Sequence, residues 1–151
     1  MNKSVKTYHI AIIMSLVFLT IALVLECIPG SVIMGFSALR SDGSAGKVYS
    51  SYNYFSLTPI SYALFTPLLT ALITIALIVL FVIRIFKYGK LVTVCTILPL
   101  VGGLTAITHL FIQADVNTVT PSGIFVSSCL FMVFILNLLD YLHSKYTAHQ
   151  N

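Results

Sequence analysis

The sequence holds little charge and no tryptophan: Asp, Glu, Lys and Arg together make up 8% of its 151 residues. A soluble domain carries about 25% charged residues, so a water-facing surface is excluded over most of the chain. Its four acidic residues, Glu26, Asp42, Asp115 and Asp140, form no paired-carboxylate motif. There is also no Gly-rich phosphate loop and no nucleophile–base arrangement. The three cysteines, Cys27, Cys95 and Cys129, lack CxxC spacing. Cys27 and Cys95 fall at opposite ends of their apolar runs, far beyond the roughly 7 Å between Cα atoms that a disulfide spans. They read as small buried thiols. A quinone-linked redox enzyme would need paired periplasmic cysteines, which are missing. The chain is therefore expected to have no catalytic residues, no cofactor and no metal site.

What fills the sequence is apolar, at 58% of residues. Four runs, 8–28, 60–83, 91–112 and 123–139, contain no Asp, Glu, Lys or Arg except Glu26. A hydrocarbon core of about 30 Å takes roughly 20 apolar residues as helix, and each run is near that length. The expected fold is an all-α membrane protein, a single domain over 1–151 built as a four-transmembrane-helix bundle. The first run is too long for a signal-peptide core and reads as an uncleaved anchor.

Charge sets the orientation. Lys3, Lys6, Arg84, Lys87, Lys90 and Lys145 fall on one side of such a bundle, and only Arg40 and Lys47 on the other. The positive-inside rule then puts both termini in the cytoplasm. The expected location is the cell membrane, multi-pass, with the lipid bilayer as first partner. The basic pI is explained by topology, and no nucleic-acid partner is expected.

The outer loop, 30–59, is the one sizeable extramembrane segment. Residues 31–39 and 48–57 are rich in β-branched and aromatic side chains, and Asp42-Gly43 between them is a turn signal. An extracellular β-hairpin between the first two helices is expected. Its aromatic residues Tyr49, Tyr52, Tyr54 and Phe55 either lie at headgroup level, where Tyr is enriched, or form a surface for a protein partner or for self-association. An open hairpin edge seeks a partner strand, a cover or lipid.

Helix packing in lipid selects small and polar residues for the buried side. Ala11, Ser15, Phe18, Ala22 and Glu26 make such a seam in the first run, and Ala63, Thr66, Pro67, Thr70, Ala71 and Thr74 in the second. Cys95, Pro99, Gly102, Ala106 and His109 make one in the third, and Gly123, Ser127, Leu130, Phe134, Asn137 and Tyr141 in the fourth. Pro67 and Pro99 each remove one backbone hydrogen bond. Glu26 and His109 each lie about one turn, roughly 5 Å, inside the outer boundary, and ionisable residues within a membrane mark functional sites by default. Thr66, Thr105 and Ser127 would complete an outer-half polar cluster with them. At the inner end Arg84 is the expected ion partner of Asp140, and Asn137 an interhelical hydrogen-bonding residue.

The order of parts resembles the claudin-like architecture: four spans, a long first outer loop with β-character and a short second one. That family's loop signature of Trp, Gly-Leu-Trp and two Cys is absent here, so the resemblance is one of topology. Small multidrug transporters carry a Glu in the middle of the first span, whereas Glu26 lies at its end. The segment Tyr54-Phe55-Ser56-Leu57-Thr58-Pro59, followed by Tyr62-Ala63 and Phe65-Thr66-Pro67-Leu68, resembles small four-span bacterial membrane proteins to which no activity has been assigned. It implies a topology. The expected function is a non-enzymatic interaction or accessory role using the outer loop 30–59. The alternative is a small-solute or ion transporter with its site at Glu26 and His109.

Overall fold

The structure, a computed structural model, describes residues 3–39, 45–56, 62–86, 91–112 and 120–148. Helices α1 (Lys3–Cys27), α2 (Tyr62–Phe86), α3 (Val92–Ile112) and α4 (Pro121–Ala148) fall on the four apolar runs. Strands β1 (Val32–Leu39) and β2 (Ala45–Tyr52) lie between α1 and α2. Among the described residues, three stretches are long and apolar enough to cross a membrane: His9–Cys27, Phe65–Phe86 and Pro121–His143. The apolar stretch of α3, Val92–Thr108, is shorter and measures about 25 Å at 1.5 Å per residue. Helices α1 and α4 run past their apolar stretches.

Each helix packs on two others, α1 against α2 and α4, and α3 against the same two. The seams of small and polar residues are the buried faces. Ser15, Ala22 and Glu26 of α1, Thr70, Ala71 and Thr74 of α2, Cys95 and Ala106 of α3, and Ser127, Leu130 and Asn137 of α4 all turn inward. On the opposite side of α2, Phe65, Leu72, Ile75 and Val79 face outward, whereas Leu68 is half-buried. Tyr141, placed on the inward seam of the fourth run, is exposed. The centre is filled by Ile12, Leu19, Leu77, Phe81, Leu130 and Val133. Glycine sets the closest approaches of α3. A Cβ on Gly102 would lie 2.9 Å from Ile73 Cγ2, and one on Gly103 would lie 3.2 Å from the Phe131 ring.

After α1, Pro29 and Gly30 turn the chain, and Gly30 adopts φ +87°, a conformation suited to glycine. The antiparallel hairpin pairs Val32 with Tyr52 at its base and Leu39 with Ala45 at its far end. Residues 40–44, which include the expected Asp42-Gly43 turn, lie outside the described residues. The second strand differs from the expected 48–57, beginning and ending earlier. The cause is Asn53. Its Oδ1 accepts hydrogen bonds from Phe55 N (3.1 Å) and Ser56 Oγ (2.9 Å), which bends the backbone out of the strand. Tyr54 and Phe55 therefore belong to a turn.

The hairpin is seated by backbone bonds. Gly30 N–H donates to Tyr52 O and Tyr54 N–H to Glu26 O, both at 3.1 Å. From the start of α4, the hydroxyls of Thr120 (2.7 Å) and Ser122 (3.2 Å) donate to Ser31 O. Pro121 opens α4, where its missing N–H costs nothing.

Candidate functional site

Two polar layers lie among the helices. The first, at the hairpin end, centres on Glu26 in the last turn of α1, whose side chain is 0% exposed. Thr74 Oγ1 donates to Glu26 Oε1 at 2.8 Å and also lies 3.1 Å from Thr70 O. One turn along α2 the pattern repeats: Thr70 Oγ1 is 2.9 Å from Thr66 O and 3.1 Å from Thr105 Oγ1. Thr105 in turn donates to Gly102 O at 2.8 Å. A line of hydroxyls thus ties α1 to α2 and α3. Glu26 Oε2 and Thr66 Oγ1 are buried with no hydrogen-bond partner among the described residues.

Of the residues expected at this site, Glu26 and Thr105 are joined through Thr74 and Thr70. Thr66 enters through its carbonyl. Ser127 stands apart, its hydroxyl 3.4 Å from Gly103 O at the α3–α4 contact. The backbone of His109 lies within α3, about one turn beyond Thr105; its side chain lies outside the described residues. Thr70 and Thr74 were not foreseen as partners of Glu26, although Thr66, Thr70 and Thr74 recur every four residues, the spacing that stacks side chains on one helix face.

The aromatic residues of the hairpin divide. Tyr49 is exposed at 48%, beside exposed Val48. Tyr52 and Phe55 are partly buried against the core, and Tyr54 is 0% exposed. Tyr52, Tyr54 and Phe55 are thus anchoring groups, and the expected aromatic surface reduces to Tyr49. Burial, reinforced by the Glu26 carboxylate, pushes the Tyr54 phenol well above its usual range.

The second layer, at the opposite end, joins three helices. Arg84 in the last turn of α2 is 0% exposed. Its Nη2 meets Asp140 Oδ2 at 2.7 Å and its Nη1 donates to Asn137 Oδ1 at 2.5 Å. Asn137 Nδ2 then donates to Ser15 Oγ (3.0 Å) and to Val133 O (2.7 Å). The guanidinium stands 5.8 Å from the centre of the Phe81 ring. The expected Arg84–Asp140 pair is present, and Asn137 is the amide that extends it to α1. Between the two layers lie Leu19, Ala22, Leu77, Phe81, Leu130 and Val133, all buried. No hydrogen bond among the described residues joins one layer to the other.

Comparison with family models, with curated proteins and with solved structures finds no match to this chain.

Proposed function

We propose that the protein is a four-span membrane protein with both termini in the cytoplasm, and that its outer hairpin binds a protein strand, from a partner or from a second copy. The observation that carries this reading is a two-stranded sheet seated on the helices through its base, where Gly30, Ser31, Tyr52 and Tyr54 make their hydrogen bonds. Among the described residues each strand has one neighbour. Tyr49 and Val48 of β2 are exposed, and an open edge of this kind is completed by strand addition. The likeness to small four-span bacterial membrane proteins favours a bacterial plasma membrane. The apolar stretch of α3 supports a fourth crossing because Val94, Ile97, Val101 and Leu104 give it an exposed apolar face, suited to lipid, opposite its contacts with α2 and α4.

The second reading is a small-solute or ion transporter with an outer-half site at Glu26 and His109. The buried Glu26 favours it. The apolar layer between the two polar layers opposes it, because a solute crossing there would meet no polar group over about three helical turns, roughly 16 Å.

The test is crosslinking in native membranes, with Cys27, Cys95 and Cys129 replaced and a single Tyr49→Cys introduced. The expected result is a discrete covalent adduct, either a dimer or one stoichiometric partner, that disappears when the cysteine is moved to the lipid-facing Ile75. An adduct-free chain whose Tyr49→Cys thiol is labelled at the rate of a free peptide thiol would end the interaction reading. Proton-coupled uptake by the purified protein in liposomes would support the second.

A further inference from the structure

We infer that the Glu26 carboxyl and the Thr74 hydroxyl form a proton-binding site within the helices, at the root of the hairpin. The inference is independent of what the hairpin binds. It begins with a count of hydrogens. The Thr74 hydroxyl has one hydrogen and two acceptors in reach, Glu26 Oε1 at 2.8 Å and Thr70 O at 3.1 Å. When the carboxyl is ionised, the hydroxyl donates to it and leaves Thr70 O. When the carboxyl carries a proton, it donates to Thr74 Oγ1, and the hydroxyl turns back to Thr70 O. Both states use the same heavy-atom positions, so a proton is bound or released by rotation of one hydroxyl and a half-turn of the carboxyl group, which exchanges its two oxygens, without movement of a helix.

The second observation is Glu26 Oε2, an oxygen of a fully buried side chain with no hydrogen-bond partner among the described residues. It is the open position at which a proton arrives. Among the described side chains, no cation that would hold the carboxylate permanently charged is paired with Glu26. Glu26 makes no ion pair among the described residues, and Arg84 is engaged in the opposite layer. From α2 the neighbouring groups are Thr70 and Thr74, from α3 Thr105, and from the hairpin root Tyr54, the one titratable group of these. The route for the proton lies at the hairpin end. Cys27, the next residue, is exposed, whereas apolar side chains close the other direction.

The chain itself makes the test clean, because Glu26 is its only glutamate. Cell-free synthesis with glutamate isotopically labelled at the side-chain carboxyl carbon marks this one group in the unmutated protein. Infrared difference spectra between alkaline and acidic buffers, taken on the full chain in lipid vesicles, should show a label-shifted C=O stretch of a protonated carboxyl. The band should move on transfer to deuterium oxide and disappear in Glu26→Gln. It should rise in frequency in Thr74→Val, where the carboxyl loses its acceptor. Replacing choline by sodium at constant ionic strength should leave it unchanged. A label-shifted carboxylate band at every pH would overturn the proposal, even if neither variant folds. So would a band of equal frequency in folded Thr74→Val, which would remove Thr74 from the site. A band lost on adding sodium would reassign the site to a metal cation and overturn it as well.

Discussion

Removal of the Asp140 carboxylate tests the energetics of the layer opposite the hairpin. In Asp140→Ala the Arg84 guanidinium stays where it is, 0% exposed, with the neutral Asn137 as its remaining described hydrogen-bond partner in α4. Breaking a buried ion pair from one side costs about 3–5 kcal/mol, because the other charge is left uncompensated. Asp140→Asn also leaves the guanidinium charge uncompensated but keeps an oxygen for Nη2, so it should cost less than Asp140→Ala by about one hydrogen bond, roughly 0.5–1.5 kcal/mol. The informative variant is the double one, Arg84→Met with Asp140→Ala. It removes the stranded charge and fills its place with an apolar chain, leaving Asn137 Oδ1 without its donor at about 1–3 kcal/mol. The double variant should therefore be more stable than Asp140→Ala alone. Unfolding by sodium dodecyl sulfate in mixed micelles, followed by circular dichroism, gives all three values on one scale. A double variant less stable than Asp140→Ala would refute the reasoning, since it would mean that Arg84 contributes more through its packing than it costs as an unpaired charge.

The remaining expectations concern orientation and close packing. In a background without native cysteines, Ser44→Cys and Thr118→Cys should react with an impermeant thiol reagent from outside sealed cells. Lys87→Cys and Lys145→Cys should react only after the cells are opened, and labelling of Lys87→Cys from outside would invert the topology. Gly102→Ala should cost about 1–3 kcal/mol in the same unfolding assay, the range for overpacking a filled core. The added methyl lies 2.9 Å from Ile73 Cγ2. Ile73→Ala should relieve most of that cost in the double variant, and strictly additive losses would show that the two side chains do not collide.

The helices and their inward faces were legible in the sequence because two coarse signals agree: uninterrupted apolar length, and small or polar residues recurring every three or four positions. The Arg84–Asp140 pair was legible for a related reason, since lone charges at the same end of a small bundle have few other partners. The interior of the hairpin-end site was not. Which oxygen Glu26 meets depends on how far α1 extends along α2, and sequence gives no axial offset between helices. Taking depth from the ends of the runs set Glu26 level with His109, whereas the contact with Thr74 sets it well inside α2. The end of β2 was missed for a smaller reason. Tyr54 and Phe55 suit a strand, but the Asn53 side chain captures the amide and hydroxyl that would have continued it. A local hydrogen bond outweighed residue preference.

The Arg84 layer also bears on the order in which the chain is made. The guanidinium precedes Asn137 by 53 residues and Asp140 by 56, and Ser15 precedes Asn137 by 122. At about 5–20 residues per second, a ribosome needs roughly 3–11 s to reach Asp140 after Arg84. For a chain that enters the bilayer as it is synthesised, α2 arrives with a buried-to-be cation whose counterion does not yet exist. That helix has to wait at the edge of the membrane, its Arg84 reaching toward the headgroups, until α4 is delivered. Assembly is then gated by the last helix, and a chain truncated before Asn137 should leave α2 unable to settle to its final depth.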